Sequence, residues 1–226
     1  MSPSSLTTPA ARNLSHRVVE LCKRWNLQPQ DITAGATLWA IWAGLTWAAF
    51  ALSLLFIEVG ETGEVPWFKA AIGGCLIAAG QWLAIRPHLH RPHRWLISTA
   101  AVWTSLCLLH LGAVGWIAPS TSNPLLRSVL GILYGSYVGL GVGIGQWWAL
   151  KSQISQVWRW IPLSAGLWAV GIAFAWLIGG LLRAASGLFL GEVIGLLVGW
   201  GAIATLSGLG IVGLLYSPLN QHPKTR

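Results

Sequence analysis

His110 and Glu192 stand out as ionisable side chains inside long apolar runs of the 226-residue chain. A titratable group at that depth is costly and normally finds a partner or a task. The expectation is that the two pair, Glu192 accepting the imidazole N–H or stabilising its protonated form. A satisfied structural pair, a proton or ligand site, and ligation of a chlorophyll magnesium by His110 are the chemistries this leaves open. Gln81 and Gln146 join them as candidate polar seats. Each lies one helical turn inside a cation, Arg86 or Lys151, where an amide bonds a neighbouring helix or a ligand.

Other constellations point away from chemistry. His88, His90 and His93 have a spacing that could hold zinc or nickel, yet Arg86, Arg91 and Arg94 surround them. A basic loop facing anionic lipid is the better reading, with Lys151 as a fourth contact. Gly139, Gly141 and Gly143 imitate a phosphate loop, but that loop needs a strand before it and a helix start at the glycines. Cys22, Cys75 and Cys107 have no framework spacing, so neither a disulfide nor a zinc site is expected. There is no Gly-x-Ser-x-Gly elbow, His-Glu-x-x-His motif or intramembrane carboxylate pair. The chain is expected not to be an enzyme and to need no cofactor.

The elements that hold these residues are dictated by composition. Hydrophobic residues make up 54% of the chain and charged ones 9%, with 27 glycines and 16 tryptophans. A water-facing surface needs about a quarter charged residues, whereas glycine is tolerated in membrane helices and tryptophan favours headgroups. The net charge of +8 does not indicate nucleic acid, because the cations sit in short segments between apolar runs. The first apolar run is too long and too late for a cleaved signal.

Six runs reach the roughly 17–25 helical residues needed to cross a bilayer: Ile32–Ile57, Trp67–Ile85, Trp95–Ala118, Arg127–Leu150, Trp158–Leu182 and Gly187–Tyr216. Strands are not expected, since an open sheet edge in lipid leaves backbone groups unpaired. Alternate connections divide the cations unevenly. One side takes Arg12, Arg17, Lys23, Arg24, Arg86, Arg91, Arg94, Lys151, Arg159, Lys224 and Arg226; the other has Lys69, Arg127 and Arg183 with Glu58, Glu61 and Glu64. The cation-rich side is expected to be cytoplasmic, with both termini there. Residues 1–31 are read as a cytoplasmic segment with a basic amphipathic helix that starts at Thr8-Pro9. Residues 32–216 form the membrane domain and 217–226 a cytoplasmic tail.

Glycines recur four apart as Gly131, Gly135, Gly139 and Gly143, and again as Gly187, Gly191, Gly195 and Gly199. Ala36, Ala40, Gly44 and Ala48 continue the pattern in the first run. Such faces let backbones approach closely, either within the bundle or against a partner protein, a lipid or a flat pigment.

The chain also repeats itself at an offset of 65 residues. Gly80-Gln81-Trp82-Leu83-Ala84-Ile85-Arg86 returns as Gly145-Gln146-Trp147-Trp148-Ala149-Leu150-Lys151; Arg94-Trp95 returns as Arg159-Trp160, and Trp103 as Trp168. The copies, about 67–118 and 127–182, are separated by an even number of crossings and so run parallel. This Gly-rich, Gln-Trp-x-x-Leu/Ile-Arg/Lys hairpin followed by a Trp-rich helix resembles a poorly characterised group of polytopic membrane proteins, mainly cyanobacterial. The resemblance covers about residues 67–182. It implies a multi-span protein of a plasma or thylakoid membrane and carries over no activity and no binding residue.

The expected fold is therefore all-α: an integral membrane helical bundle of six transmembrane helices with two parallel hairpin repeats. The expected role is structural, assembly or partner, lipid or pigment binding, in contact with the bilayer and other membrane proteins. A small-solute or proton-linked transporter built on His110, Glu192, Gln81 and Gln146 is the alternative.

Overall fold

The computed structural model describes residues 29–61 and 65–216; the expected N-terminal amphipathic helix and the 217–226 tail lie outside them. Among the described residues six α-helices follow one another: α1 (Pro29–Ser53), α2 (Trp67–Ile85), α3 (His93–Leu108), α4 (Pro124–Leu150), α5 (Trp160–Ser186) and α6 (Leu190–Leu215). Five of them, all but α3, are long and apolar enough to cross a membrane. Each helix packs on the next in sequence, and α6 returns to α1, so the six close into a ring.

Local chemistry sets the ends. Asn123 caps α4, its side-chain oxygen accepting from the N–H of Leu125 (3.0 Å) and Leu126 (3.1 Å), with Pro124 in the first helical position. Gly187 ends α5 in the left-handed conformation (φ 70°), which only glycine adopts without penalty. It is thus a helix stop and not, as its register suggested, part of a packing face.

The small-residue faces of α4 and α6 close onto α5. A side chain at Gly135 or Gly139 would strike the backbone of Trp168 or Ser164, and one at Gly131 the backbone of Ala173; Gly143 faces Ser164 and Ile161. On α6, Gly191, Gly195 and Gly199 press on Arg183, Gly179 and Ala175 in the same way. The α1 stripe behaves differently: Ala36, Ala40, Gly44 and Ala48 are all exposed, and no atom lies within 4 Å of where a Gly44 side chain would be.

The third expected span, Trp95–Ala118, is not a continuous helix. At 16 residues and ~1.5 Å per residue, α3 is roughly 24 Å long, short of a hydrocarbon core of ~30 Å. Beyond it the chain turns at His110 (φ 59°), winds through a 3-10 segment at Gly112–Trp116, and pairs Ile117 and Ala118 (β2) in parallel with Gly60 and Glu61 (β1). Irregular backbone at membrane depth survives where protein buries it. Here Val114, Trp116, Ile117 and Ala118 are all buried, so the segment plugs the ring. The same enclosure accommodates the two-residue strands that the sequence did not lead us to expect. Tryptophans pin the plug: Trp116 donates to Ser53 Oγ (2.8 Å), Trp200 to the Gly115 carbonyl (3.1 Å) and Trp176 to the Ile117 carbonyl (2.8 Å).

Aromatic rings fill the ring's interior around this plug. Phe50 stacks on Trp200 at 4.7 Å, Trp168 meets Trp200 edge-on at 5.0 Å, and Trp103 lies edge-on to both Trp116 (5.6 Å) and Trp168 (5.4 Å). These are offset and edge geometries that indole quadrupoles favour.

Candidate functional site

Glu192 occupies the first turn of α6, where the helix dipole favours an anion. Its partner is not His110. Arg127, one turn into α4, reaches Glu192 Oε2 with Nη2 in a buried ion pair. Three further guanidinium N–H groups go to backbone carbonyls: Nε to Trp176 (2.7 Å), Nη1 to Pro119 (3.2 Å) and Thr121 (2.9 Å). Arg127 therefore ties α4, α5, α6 and the end of the plug together. Its burial (3% exposed) corrects the counting of Arg127 among the surface charges of one side.

The pair fits because α5 carries two adjacent glycines beside it. A side-chain carbon at Gly179 would lie 2.6 Å from Glu192 Oε2, and one at Gly180 2.5 Å from Arg127 Nε. A second arginine approaches from the end of α5. Arg183 Nη1 donates to Glu61 Oε1 at 3.1 Å and stands 3.8 Å from Glu192 Oε1. That second oxygen of Glu192 is buried and has no hydrogen-bond partner. The four charges alternate in sign, Glu61, Arg183, Glu192, Arg127. His110 sits apart, exposed on the turn after α3; the expected His110–Glu192 pair does not form.

Toward the opposite, basic end lies a second polar layer, and it does bring the two candidate glutamines together. Gln146 Nε2 donates to Gln81 Oε1 at 3.2 Å while Gln146 Oε1 accepts from Trp160 Nε1 at 2.7 Å. Trp42 Nε1 donates to Ser207 Oγ at 3.0 Å. Trp95, fully buried and edge-on to Trp42 at 5.5 Å, leaves its indole N–H without a partner. Between these side chains is a cavity of about 10 Å³, bordered by Gln81, Gln146, Ser164 and Ser207. That volume holds a water molecule and little more.

At the basic end cations lie over tryptophan rings: Arg86 over Trp82 (5.5 Å), Lys151 over Trp147 (5.0 Å) and Arg94 over Trp148 (5.9 Å). The two basic turns also touch, Gln153 Oε1 accepting from the Arg91 N–H (3.2 Å) and Ser152 Oγ from Arg94 (3.3 Å). Among the described residues no group of His, Cys, Asp or Glu is placed to hold a metal ion.

No protein-family model matches this chain, and neither a curated protein nor a solved structure resembles it significantly. Function therefore has to be argued from the geometry itself.

Sequence reasoning did not connect Arg127 or Arg183 with Glu192. One signal was there: Asn123-Pro124 marks a helix start, which places Arg127 one turn inside the helix rather than at its first residue.

Proposed function

We propose that this chain is an integral membrane protein with a non-enzymatic, structural or assembly role, a rigid bundle that presents one helix face to a membrane partner. It crosses the bilayer six times, as parallel hairpin repeats, with its basic end and both termini in the cytoplasm. The short α3 and the plug together make the third crossing. The cation asymmetry supports that orientation.

The observation that carries the reading is the contrast between the glycine faces. Those of α4 and α6 are used up inside the bundle, whereas Ala36, Ala40, Gly44 and Ala48 of α1 form an exposed small-residue strip, and no described residue comes within 4 Å of a side chain placed at Gly44. In lipid such a strip drives close helix–helix association. The interior favours rigidity, since aromatic rings and the plug fill it and the polar layer has room for about one water.

The test is purification in mild detergent followed by native mass measurement, an absorption spectrum for bound pigment, and comparison with Gly44→Leu. A larger assembly or a pigment-bearing species in the wild type, lost in Gly44→Leu at unchanged unfolding temperature, supports the role. A pigment-free monomer in both ends it.

One feature favours the transporter alternative: a broken helix beside buried charges, the arrangement in which transporters place substrate sites. Solute flux in wild-type proteoliposomes, absent from protein-free vesicles, would establish it instead.

A further inference from the structure

We propose that the polar layer inside the ring is a binding site for water, which takes the hydrogen bonds of Trp95, Thr99 and Thr46. A motif that occurs three times locates it. Trp42, Thr46 and Phe50 of α1 have the spacing of Trp95, Thr99 and Trp103 of α3, and of Trp160, Ser164 and Trp168 of α5. Every one of these side chains is buried, and four-residue steps keep each trio on one face of its helix. The ring thus contains three matching hairpins: α2 with α3, α4 with α5, and α6 with α1.

The three hairpins satisfy the motif unequally. Between α4 and α5, Trp160 donates to Gln146 Oε1 at 2.7 Å and Ser164 Oγ to the Gly139 carbonyl at 2.8 Å. Between α6 and α1, Trp42 donates to Ser207 Oγ, but the Thr46 hydroxyl has no partner. Between α2 and α3, neither Trp95 Nε1 nor Thr99 Oγ1 has one. Both threonines also forgo the usual bond to their own helix, which Thr104 makes to the Ala100 carbonyl at 2.9 Å.

These orphaned groups lie together. On one side of the threonines Trp42 meets Trp95 at 5.5 Å; on the other, Phe50 and Trp103 both pack on Trp116, at 6.2 and 5.6 Å. The cavity of about 10 Å³ adjoins them, bordered by Trp42 and Ser164, the members of the motif that are already bonded. An unbonded buried donor is costly, and a polar cavity of that size is one that water fills. The indole N–H can only donate, so its partner must accept, which excludes a cation. Each hydroxyl can donate or accept, so water meets all three groups. Nothing in this depends on what covers the outer faces of the bundle.

The full chain, labelled with nitrogen-15 at its indoles, is studied by NMR in detergent micelles, and Trp95→Phe identifies the Trp95 signal. The Trp95 N–H should show a cross-peak to long-lived water, with the sign of dipolar contact rather than of proton exchange. Thr99→Val should weaken that cross-peak, and Thr99→Ser, which keeps the hydroxyl, should preserve it. Thr46→Val and Thr99→Val should each raise the unfolding equilibrium constant about tenfold, as loss of a buried hydrogen bond of about 1.4 kcal/mol does. Thr104→Val, whose wild-type hydroxyl is bonded to its own helix, should leave the cross-peak intact. The proposal is overturned if the Trp95 N–H shows no contact with water, or if Thr104→Val abolishes that contact as fully as Thr99→Val. It is equally overturned if the two valine variants unfold no more readily than the wild type, the outcome of a dry layer whose hydroxyls are better removed.

Discussion

Arg127 and Glu192 form an ion pair in which the two side chains are 3% and 1% exposed, and every donor of the arginine that the structure pairs elsewhere goes to a backbone carbonyl. Removing one partner leaves the other charge buried and alone, which costs about 3–5 kcal/mol. Glu192→Gln and Arg127→Met should each lower the detergent unfolding temperature sharply. Arg127→Met with Glu192→Leu, which removes both charges, should recover most of the loss. Additive losses in the double variant would mean the two side chains do not act as a pair.

The glycine doublet beside them should be as sensitive. Gly179→Ala places a carbon 2.6 Å from Glu192 Oε2, and Gly180→Ala one at 2.5 Å from Arg127 Nε. Overpacking of this kind costs about 1–3 kcal/mol. Ala at Gly166, where nothing lies within 4 Å, is the matched control and should be no less stable than the wild type. Equal effects at Gly180 and Gly166 would show that helix propensity, not the ion pair, governs the site.

His110 should prove dispensable. It is exposed, and its φ of 59° lies in a region that costs a non-glycine residue about 1–3 kcal/mol. His110→Gly should therefore be neutral or stabilising by about 1 kcal/mol in chemical unfolding, and His110→Ala should leave any bound pigment in place. A large loss of stability, or loss of pigment absorbance, would restore His110 to the site.

These expectations mark what the sequence could and could not convey. The five membrane-length helices follow from apolar run length, because lipid demands a fixed length and every backbone group satisfied internally. The α4 and α6 glycine faces were legible because four-residue spacing is a property of one helix. The break after Leu108 was not: Leu109 to Ala118 is apolar whether it faces lipid as a helix or is enclosed as a plug, and hydropathy does not distinguish the two. Arg127 was misread for a related reason. Counting cations by side treats each as a surface charge, whereas its burial depends on Glu192, 65 residues away. The Gln81–Gln146 bond lies between those cases. The repeat singled out both amides, but only the closing of the ring brings them within 3.2 Å.

That amide pair supplies the last prediction. Gln146 is the more connected of the two, accepting from Trp160 and donating to Gln81. Gln146→Leu would strand the buried Trp160 N–H and the Gln81 carbonyl oxygen together, at about 1–3 kcal/mol for each unsatisfied group. Gln81→Leu strands only the Gln146 amide N–H. Unfolding monitored by tryptophan fluorescence should therefore rank Gln146→Leu below Gln81→Leu in stability. In a double-mutant cycle the two substitutions should cost less together than their sum, because the second removes a group that the first had already orphaned. Strict additivity, or the reverse ranking, would place the two glutamines in separate environments and leave the polar layer without its central bond.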